Sequence, residues 1–276
     1  MRIFGIDFTS RPTARKPITC AACVLDGDRL IFEALETFAG FAEFDRFLGR
    51  SGPWLAGLDF PFAQTRRFVR GAGWPDDWSG HVAHAEGLGR AGFRAALEAY
   101  KAPRPPGDRQ HARAAEKRIG AASPQTLYGV PVALMFFEGA PRLRAAGVHL
   151  PGQRPGDRAR ICVEAYPGVL ARALLALAGQ PGPYKAEARR DQTEDRAARR
   201  QGILTALCGD GGRARMGLRV DADAALCDDP TGDRLDALLC AVQAAWAHRS
   251  GYAETGPRWA DPLEGWIADP AACPED

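Results

Sequence analysis

Two aspartates interrupt apolar segments that otherwise have the pattern of buried β-strands. Asp7 lies in the segment IFGIDF (residues 3–8), and Asp59 directly follows WLAGL (residues 54–58). An ionised carboxylate is costly to bury unless it is paired, hydrogen-bonded or bound to a cation. In both segments a glycine stands two residues before the acid, on the same strand face, and should leave room beside the carboxylate for a ligand. The repetition indicates a binding site, while a role in a turn is the alternative for each aspartate.

A third apolar segment also ends in a carboxylate, Glu164, which follows Cys162 and Val163. Here the small cysteine takes the place of glycine, so we expect the same face, and glutamate is rare inside an apolar strand. Asp233 and Asp236 are three residues apart at the start of a helical segment and therefore share a helix face. Helix capping explains Asp233 equally well, and the helix dipole alone could stabilise Asp236.

These carboxylates are expected to meet at one edge of a sheet, because ligands of open α/β sheets bind beyond the carboxyl ends of the strands. Clustered carboxylates repel one another and are driven to protonate unless a cation joins them. Mg²⁺ favours a few carboxylates plus water, and two such ions about 3.5–4 Å apart support in-line displacement at phosphorus. The pattern therefore predicts a cleft that holds Mg²⁺ or Mn²⁺, with two ions expected and neighbouring carboxyl groups within roughly 4–8 Å.

The elements that carry these acids follow the order of an α/β fold. Three strands in a meander, a short helix and a fourth strand are predicted over residues 2–10, 18–25, 30–36, 41–50 and 54–61. A strand at 160–167 resumes the sheet, and helices are predicted at 167–178, 187–207 and 232–248. Residues 66–160, with expected helices at 81–100, 109–118 and 131–146, read as a helical insertion in one domain that spans 1–276.

The composition is that of an ordinary soluble protein, with 46% hydrophobic and 25% charged residues among 276. A net charge of +2 is too small to indicate a nucleic-acid partner by itself. Seven cysteines, an odd number in a chain of this length, indicate reduced thiols. No apolar stretch is long enough to span a membrane and the N-terminus has no signal-peptide pattern, so we expect a cytoplasmic protein without a membrane partner.

Four short motifs, taken in order, resemble a domain-of-unknown-function family described as predicted RNase H-like nucleases. They are residues 5–7 (GID), 58–61 (LDFP), 164–167 (EAYP) and 236–239 (DALL). Residues 232–238 (GDRLDAL) are also similar to the final helix of Holliday-junction resolvases of the RuvC type. The resemblance implies an RNase H-like α/β fold with a mixed five-stranded sheet flanked by helices. It implies that the catalytic metal ligands are Asp7, Asp59, Glu164 and Asp236, with Asp233 as a further ligand.

The leading functional hypothesis is a metal-dependent nuclease that hydrolyses phosphodiester bonds of DNA or RNA. Basic residues of the insertion are candidates for phosphate contacts: Arg109, Arg113, Lys117 and Arg118. The family resemblance adds Lys185 to the substrate-binding set, although an exposed lysine is its simplest explanation. Two alternatives remain open: an actin-like or sugar-kinase-like phosphotransferase, whose phosphate loop residues 5–10 faintly resemble, and a non-catalytic nucleic-acid-binding protein with the same fold.

Overall fold

The structure, a computed structural model, describes residues 1–273, so the last three residues of the acidic tail lie outside the described chain. Segments in which apolar residues alternate with polar ones, or follow one another without interruption, form the strands of the fold. These strands are β1 (Arg2–Asp7), β2 (Ile18–Asp26), β3 (Arg29–Phe38), β4 (Trp54–Leu58), β5 (Val148–His149), β6 (Asp157–Glu164) and β7 (Arg219–Asp221).

The helices connect and cover these strands. They are α1 (Phe41–Leu48), α2 (Arg66–Gly71), α3 (Trp78–Gly87), α4 (Gly89–Lys101), α5 (Ala114–Ile119), α6 (Val132–Ala146), α7 (Pro167–Leu177), α8 (Glu194–Cys208), α9 (Asp210–Met216), α10 (Asp233–Arg249) and α11 (Tyr252–Thr255). Among residues 1–273, none of the helices combines the length and the apolar character that crossing a membrane requires.

Within the described chain, seven strands form one mixed sheet in the order β5-β6-β4-β1-β2-β3-β7. β1, β4 and β6 are mutually parallel neighbours, whereas β2 is antiparallel to both β1 and β3. The expected α/β class is therefore confirmed, with two strands more than the five expected. The additional strands, β5 and β7, are edge strands of two and three residues. Segments this short carry no periodic pattern, which is why the sequence did not reveal them.

The sheet separates two apolar layers. On one face, Ile3 and Leu55 pack beneath α10 together with residues of α7 and α8. On the other face, Ile6 and Leu58 pack with aromatic side chains of α1 and α6. Because side chains alternate along a strand, these two sets define the faces of β1 and β4 without ambiguity.

The glycines of β1 and β4 lie directly beneath α10. A Cβ atom added to Gly5 would overlap the backbone oxygen of Ala237, and one added to Gly57 would overlap the backbone oxygen of Cys240. The expectation that these glycines leave room for a ligand is therefore wrong, because the helix backbone fills that space. Their role is to let α10 lie against the two strands that carry Asp7 and Asp59.

Gly5→Ala is accordingly expected to lower the free energy of unfolding by about 3 kcal/mol, because two backbone segments must separate to admit the methyl group. Urea unfolding of the variant and the parent measures this difference. Gly87→Ala is the matched control, since an added Cβ at the end of α3 meets no atom within 4 Å. It should be neutral or slightly stabilising. Equal losses in the two variants would contradict the close packing of α10.

Three predicted helices differ from the observed ones. The helix expected over 109–118 is the short α5, which begins only at Ala114. The helix expected over 81–100 is divided into α3 and α4, because Gly89 adopts a left-handed conformation (φ +66°) that interrupts the hydrogen-bond ladder. The helix expected from 187 begins at Glu194, where the side chain of Thr193 accepts a hydrogen bond from the Arg196 backbone N–H. The link expected over 209–219 contains α9 and the start of β7.

Candidate active site

Asp7 and Asp59 lie side by side at the carboxyl ends of two adjacent parallel strands. Ile6 is level with Leu58 in the β1–β4 pair, and the backbone N–H of Asp59 donates to the Ile6 carbonyl oxygen at 2.9 Å. Since Ile6 and Leu58 face α1 and α6, the next residue in each strand faces α10. Both aspartates are partly exposed. The predicted convergence of acids at this sheet edge thus holds for this pair.

The first turn of α10 adds Asp236 to the same edge. Its side chain is completely buried, and both oxygens have donors: the Tyr184 hydroxyl donates to Oδ1 at 2.5 Å, and the Lys185 ammonium donates to Oδ2. Tyr184 was not among the expected ligands, although it directly precedes the candidate Lys185. Asp236 is thus anchored by hydrogen bonds, whereas Asp7 and Asp59 are not.

The pKa values of the two strand aspartates are raised. Burial raises the pKa of Asp7 well above its ordinary value, and the neighbouring charges of Asp233 and Asp236 raise it further. Burial likewise raises the pKa of Asp59 to about 7, with Lys185 opposing the rise and Asp236 adding to it. Within residues 1–273, no hydrogen bond is made to the side-chain oxygens of either strand aspartate. Both carboxyl groups therefore lie near other acids and receive no direct hydrogen bond.

Lys185 is the cation that the structure itself supplies to this cluster. Its side chain is 46% exposed and reaches from the surface to the buried Asp236. Burial opposes the charge on this ammonium, but the neighbouring oxygens of Asp236, Tyr184 and Asp7 raise its pKa. One negative charge of the cluster is thus compensated by protein. Within residues 1–273, neither Asp7 nor Asp59 forms an ion pair of this kind.

Asp233 lies in the first turn of α10, but it does not cap the helix. The N-cap residue is Gly232, and the backbone N–H of Arg234 donates to the side chain of Asp229 at 3.2 Å. The capping explanation for Asp233 is therefore wrong, because Asp229 accepts that hydrogen bond. Burial raises the pKa of Asp233, whose charge is also the largest neighbouring contribution to the raised pKa of Asp7.

Glu164 belongs to the opposite face of the sheet. It is level with Leu58 in the β4–β6 pair, and Cys162, two residues earlier, packs in the layer of α1 and α6. The expectation that it shares a face with the aspartates is wrong, because its segment is aligned one residue out of step with theirs. The backbone N–H of Phe62 and Nη1 of Arg113 each donate to Oε2 of Glu164 at 2.9 Å.

Arg113 is a buried structural residue and not a surface ligand for phosphate. Its side chain is 1% exposed and forms ion pairs with both Glu116 and Glu164. Nη1 also donates to the backbone oxygen of Glu264 at 2.8 Å, so the guanidinium links α5, β6 and the C-terminal segment. The other three basic candidates of the insertion are exposed: Arg109, Lys117 and Arg118.

A cavity of about 640 Å³ opens at the acid cluster. Asp59, Glu164 and Lys185 form part of its wall, so Glu164 shares this space with Asp59 although it lies on the other sheet face. Most of the remaining wall is apolar and is formed by residues of the β-sheet, the insertion and α7. In the described chain, no three His, Cys, Asp or Glu side chains are arranged as a ready metal-binding group. The expected five-carboxylate set is therefore not assembled around one point.

Comparison with known families gives one match, which covers most of the chain. The model of one family matches residues 5–261, a span that runs from β1 to the segment after α11 and includes the five candidate metal ligands: Asp7, Asp59, Glu164, Asp233 and Asp236. Neither the curated proteins nor the solved structures gave a match. The chain belongs to the family described as "Protein of unknown function (DUF429)".

Proposed function

We propose that this protein is a metal-dependent phosphodiesterase that cuts nucleic acid, with Asp7 and Asp59 as the primary metal ligands. The observation that carries the proposal is the pair of adjacent strand aspartates without hydrogen-bond donors, whose pKa values are raised by burial and by like charges. A divalent cation would offset the burial of both carboxyl groups and the repulsion that the neighbouring acids exert on them.

The chemistry of the donors fits Mg²⁺ or Mn²⁺. Mg²⁺ is commonly held by one or two carboxylates and several waters. Asp7 and Asp59 supply two carboxylates at the open end of the strands. A divalent cation at this position would stabilise the negative charge that develops on a phosphate during displacement. A second ion would require Asp236 to exchange its bond with Lys185, and Glu164 to leave Arg113. The prediction of two ions depends on those exchanges.

The order of the elements supports placing the fold in the RNase H-like superfamily. The sheet contains the succession β3-β2-β1-β4-β6, with a meander, an acid at the ends of β1 and β4, and α10 packed over both strands. Fold alone does not define an activity, so the proposal depends on the acid pair.

Lys185 has two consequences for a substrate in this site. Its ammonium orients the Asp236 carboxyl group through a direct ion pair. Because nearly half of the side chain is exposed and it lines the cavity beside Asp59, the same ammonium is available to a substrate phosphate. We include it in the substrate-binding set, together with the exposed Arg109 and Lys117. The free cysteines are consistent with a reducing compartment, and we propose a cytoplasmic location.

The test is cleavage of a panel of single-stranded and duplex DNA and RNA with Mg²⁺ or Mn²⁺. We expect cutting that EDTA abolishes and that Asp59→Asn slows by at least about a hundredfold, since even outer partners of metal ligands often change affinity by that factor. Asp195→Asn, an exposed acid on α8, is the matched control and should cut normally. Binding without cutting would favour the non-catalytic alternative. ATP-dependent phosphoryl transfer would favour the phosphotransferase.

A further inference from the structure

The cavity beside the acid pair is apolar over most of its surface. Away from Asp59 and Lys185 its wall includes Phe60, Val132 and Met135, and its volume of about 640 Å³ is that of a site for a nucleoside-sized group. A phosphate needs none of these apolar contacts. The cavity is therefore built for a flat or apolar part of the substrate that lies next to the reacting phosphate.

The mouth of this cavity carries two exposed apolar side chains. Tyr128 is 71% exposed and Val130 is 66% exposed, in the loop that precedes α6. Exposed aromatic rings of this kind are platforms on which bases stack. Tyr128 also lines a second, more open cavity of about 710 Å³, where its hydroxyl donates to Oε1 of Gln110 at 3.4 Å. One exposed aromatic residue thus belongs to the walls of both cavities.

The second cavity is basic. Three cationic side chains line it, against the single carboxylate of Glu98: Arg94, Lys101 and Arg109. Lys101 donates to the backbone oxygen of Gln125, which fixes the loop that leads to Tyr128. A groove with this excess of positive charge is complementary to a phosphate backbone.

We propose, on the basis of the phosphodiesterase function above, that the two cavities are successive parts of one path for a single strand of nucleic acid. The scissile phosphate lies at Asp7 and Asp59, and the adjoining base occupies the apolar cavity. The next base stacks on Tyr128, and the following phosphates lie against Arg94 and Arg109.

A single strand fits this path and a duplex does not. Bases in a duplex are stacked and paired, so a base enters a side cavity only after it is unpaired, at a cost of a few kcal/mol. In a single strand the bases are already free to splay apart and stack on aromatic side chains. The proposal therefore identifies single-stranded DNA or RNA as the preferred class of substrate.

The test is fluorescence anisotropy of a labelled oligonucleotide of about 12 nucleotides, a length within the usual range of single-strand sites. Binding is measured in EDTA, so that it does not depend on cutting. We expect the single strand to bind at least tenfold more tightly than the same sequence as a duplex. Tyr128→Ala should weaken single-strand binding at least fivefold, the lower limit for loss of one stacked base. Its ring is exposed, so the fold should be unaffected, and thermal melting checks this.

Charge variants test the second half of the path. Arg94→Ala combined with Arg109→Ala should weaken binding and reduce the slope of log affinity against log salt by about 1.4, about 0.7 for each lost phosphate contact. The matched control is Arg158→Ala, an exposed arginine at the start of β6, at the sheet edge opposite the acids. It should leave the slope unchanged.

Equal affinity for duplex and single strand, or unchanged binding by Tyr128→Ala, would overturn the path. These outcomes are separate from the cleavage test. Selective single-strand binding that depends on Tyr128, without metal-dependent cutting, would keep the path and reject the nuclease. Cutting that does not depend on Tyr128 would keep the nuclease and reject the path.

Discussion

Arg113→Met is expected to lower the free energy of unfolding by about 3–5 kcal/mol, the range for removing one partner of a buried ion pair. In the native protein the guanidinium is 1% exposed and lies between the carboxylates of Glu116 and Glu164. Methionine fills a similar volume but leaves two buried carboxylates without their cation. The loss should be smaller at pH 5 than at pH 8, because burial raises the pKa of Glu164 to about 7 and this group can then take up a proton. Urea unfolding at both pH values gives the comparison.

Two variants separate this ion network from simple loss of packing. Arg113→Met should cost much less in a Glu164→Gln background, since one of the uncompensated charges is then absent. Arg2→Met removes an arginine from an ion pair with Glu33 in which both side chains are about half exposed, and it should change stability far less. If Arg113→Met costs the same in both backgrounds, the carboxylates are not the origin of the effect.

The different outcomes for Arg113 and Lys117 show that local sequence does not indicate long-range partners. Both were candidates for phosphate contacts, because a basic helical segment usually faces solvent. The structure places one in the interior and the other on the surface. The partner that draws Arg113 inward is Glu164, which is 51 residues away in the chain. Only a three-dimensional arrangement reveals such a pair.

Glu164 illustrates a second limit. Its segment has the same local pattern as those of Asp7 and Asp59, namely a small residue, an apolar residue and an acid. The strand that carries it is aligned with β4 one residue out of step, and a shift of one residue exchanges the faces of a strand. Register depends on pairing with a neighbour, so local pattern cannot determine it.

Features with local physical causes were predicted well. The meander, α1, β4 and the final helix follow from apolar periodicity and turn residues. Asp7 and Asp59 were identified because each carboxylate adjoins a buried apolar run, and parallel pairing of β1 and β4 then brings them together. Burial costs are local, whereas partners such as Tyr184 and Arg113 are not. That difference explains why the positions of Asp7 and Asp59 were predicted from local pattern, whereas the bond from Tyr184 to Asp236 and the burial of Arg113 were not.

Asp59→Asn is expected to make the metal-free protein more stable at pH 8, by up to about 4 kcal/mol. A rise in pKa from the ordinary 3.8 to about 7 corresponds to that free energy. Burial and the neighbouring acids make the ionised form unfavourable in the native state, and asparagine removes the charge while keeping the shape. A residue whose replacement stabilises the fold is retained for another reason, which we propose is metal binding.

The pH dependence follows from the sign of this shift. Below about pH 4 the carboxyl group is protonated in both native and unfolded states, so Asp59 imposes no penalty. Between about pH 4 and pH 7 the unfolded state loses its proton while the native state keeps it. The free energy of unfolding therefore falls by about 1.4 kcal/mol per pH unit in the parent protein from this group. The advantage of Asp59→Asn should grow from near zero at pH 4 to its full value at pH 8.

Mn²⁺ should reverse much of that advantage. At a metal concentration of about 100 times the dissociation constant, the parent gains about 2.7 kcal/mol by mass action, and the variant, which lacks one of the two primary ligands, gains far less. Thermal melts with and without Mn²⁺ at pH 8 measure both effects on the same samples.

Asp195→Asn, exposed on α8, should show neither the pH-dependent gain nor a loss of the metal response. If Asp59→Asn keeps the full response to Mn²⁺, Asp59 is not a ligand. If it is no more stable than the parent at pH 8, the acid pair is not strained. Either result removes the physical reason for placing the metal there.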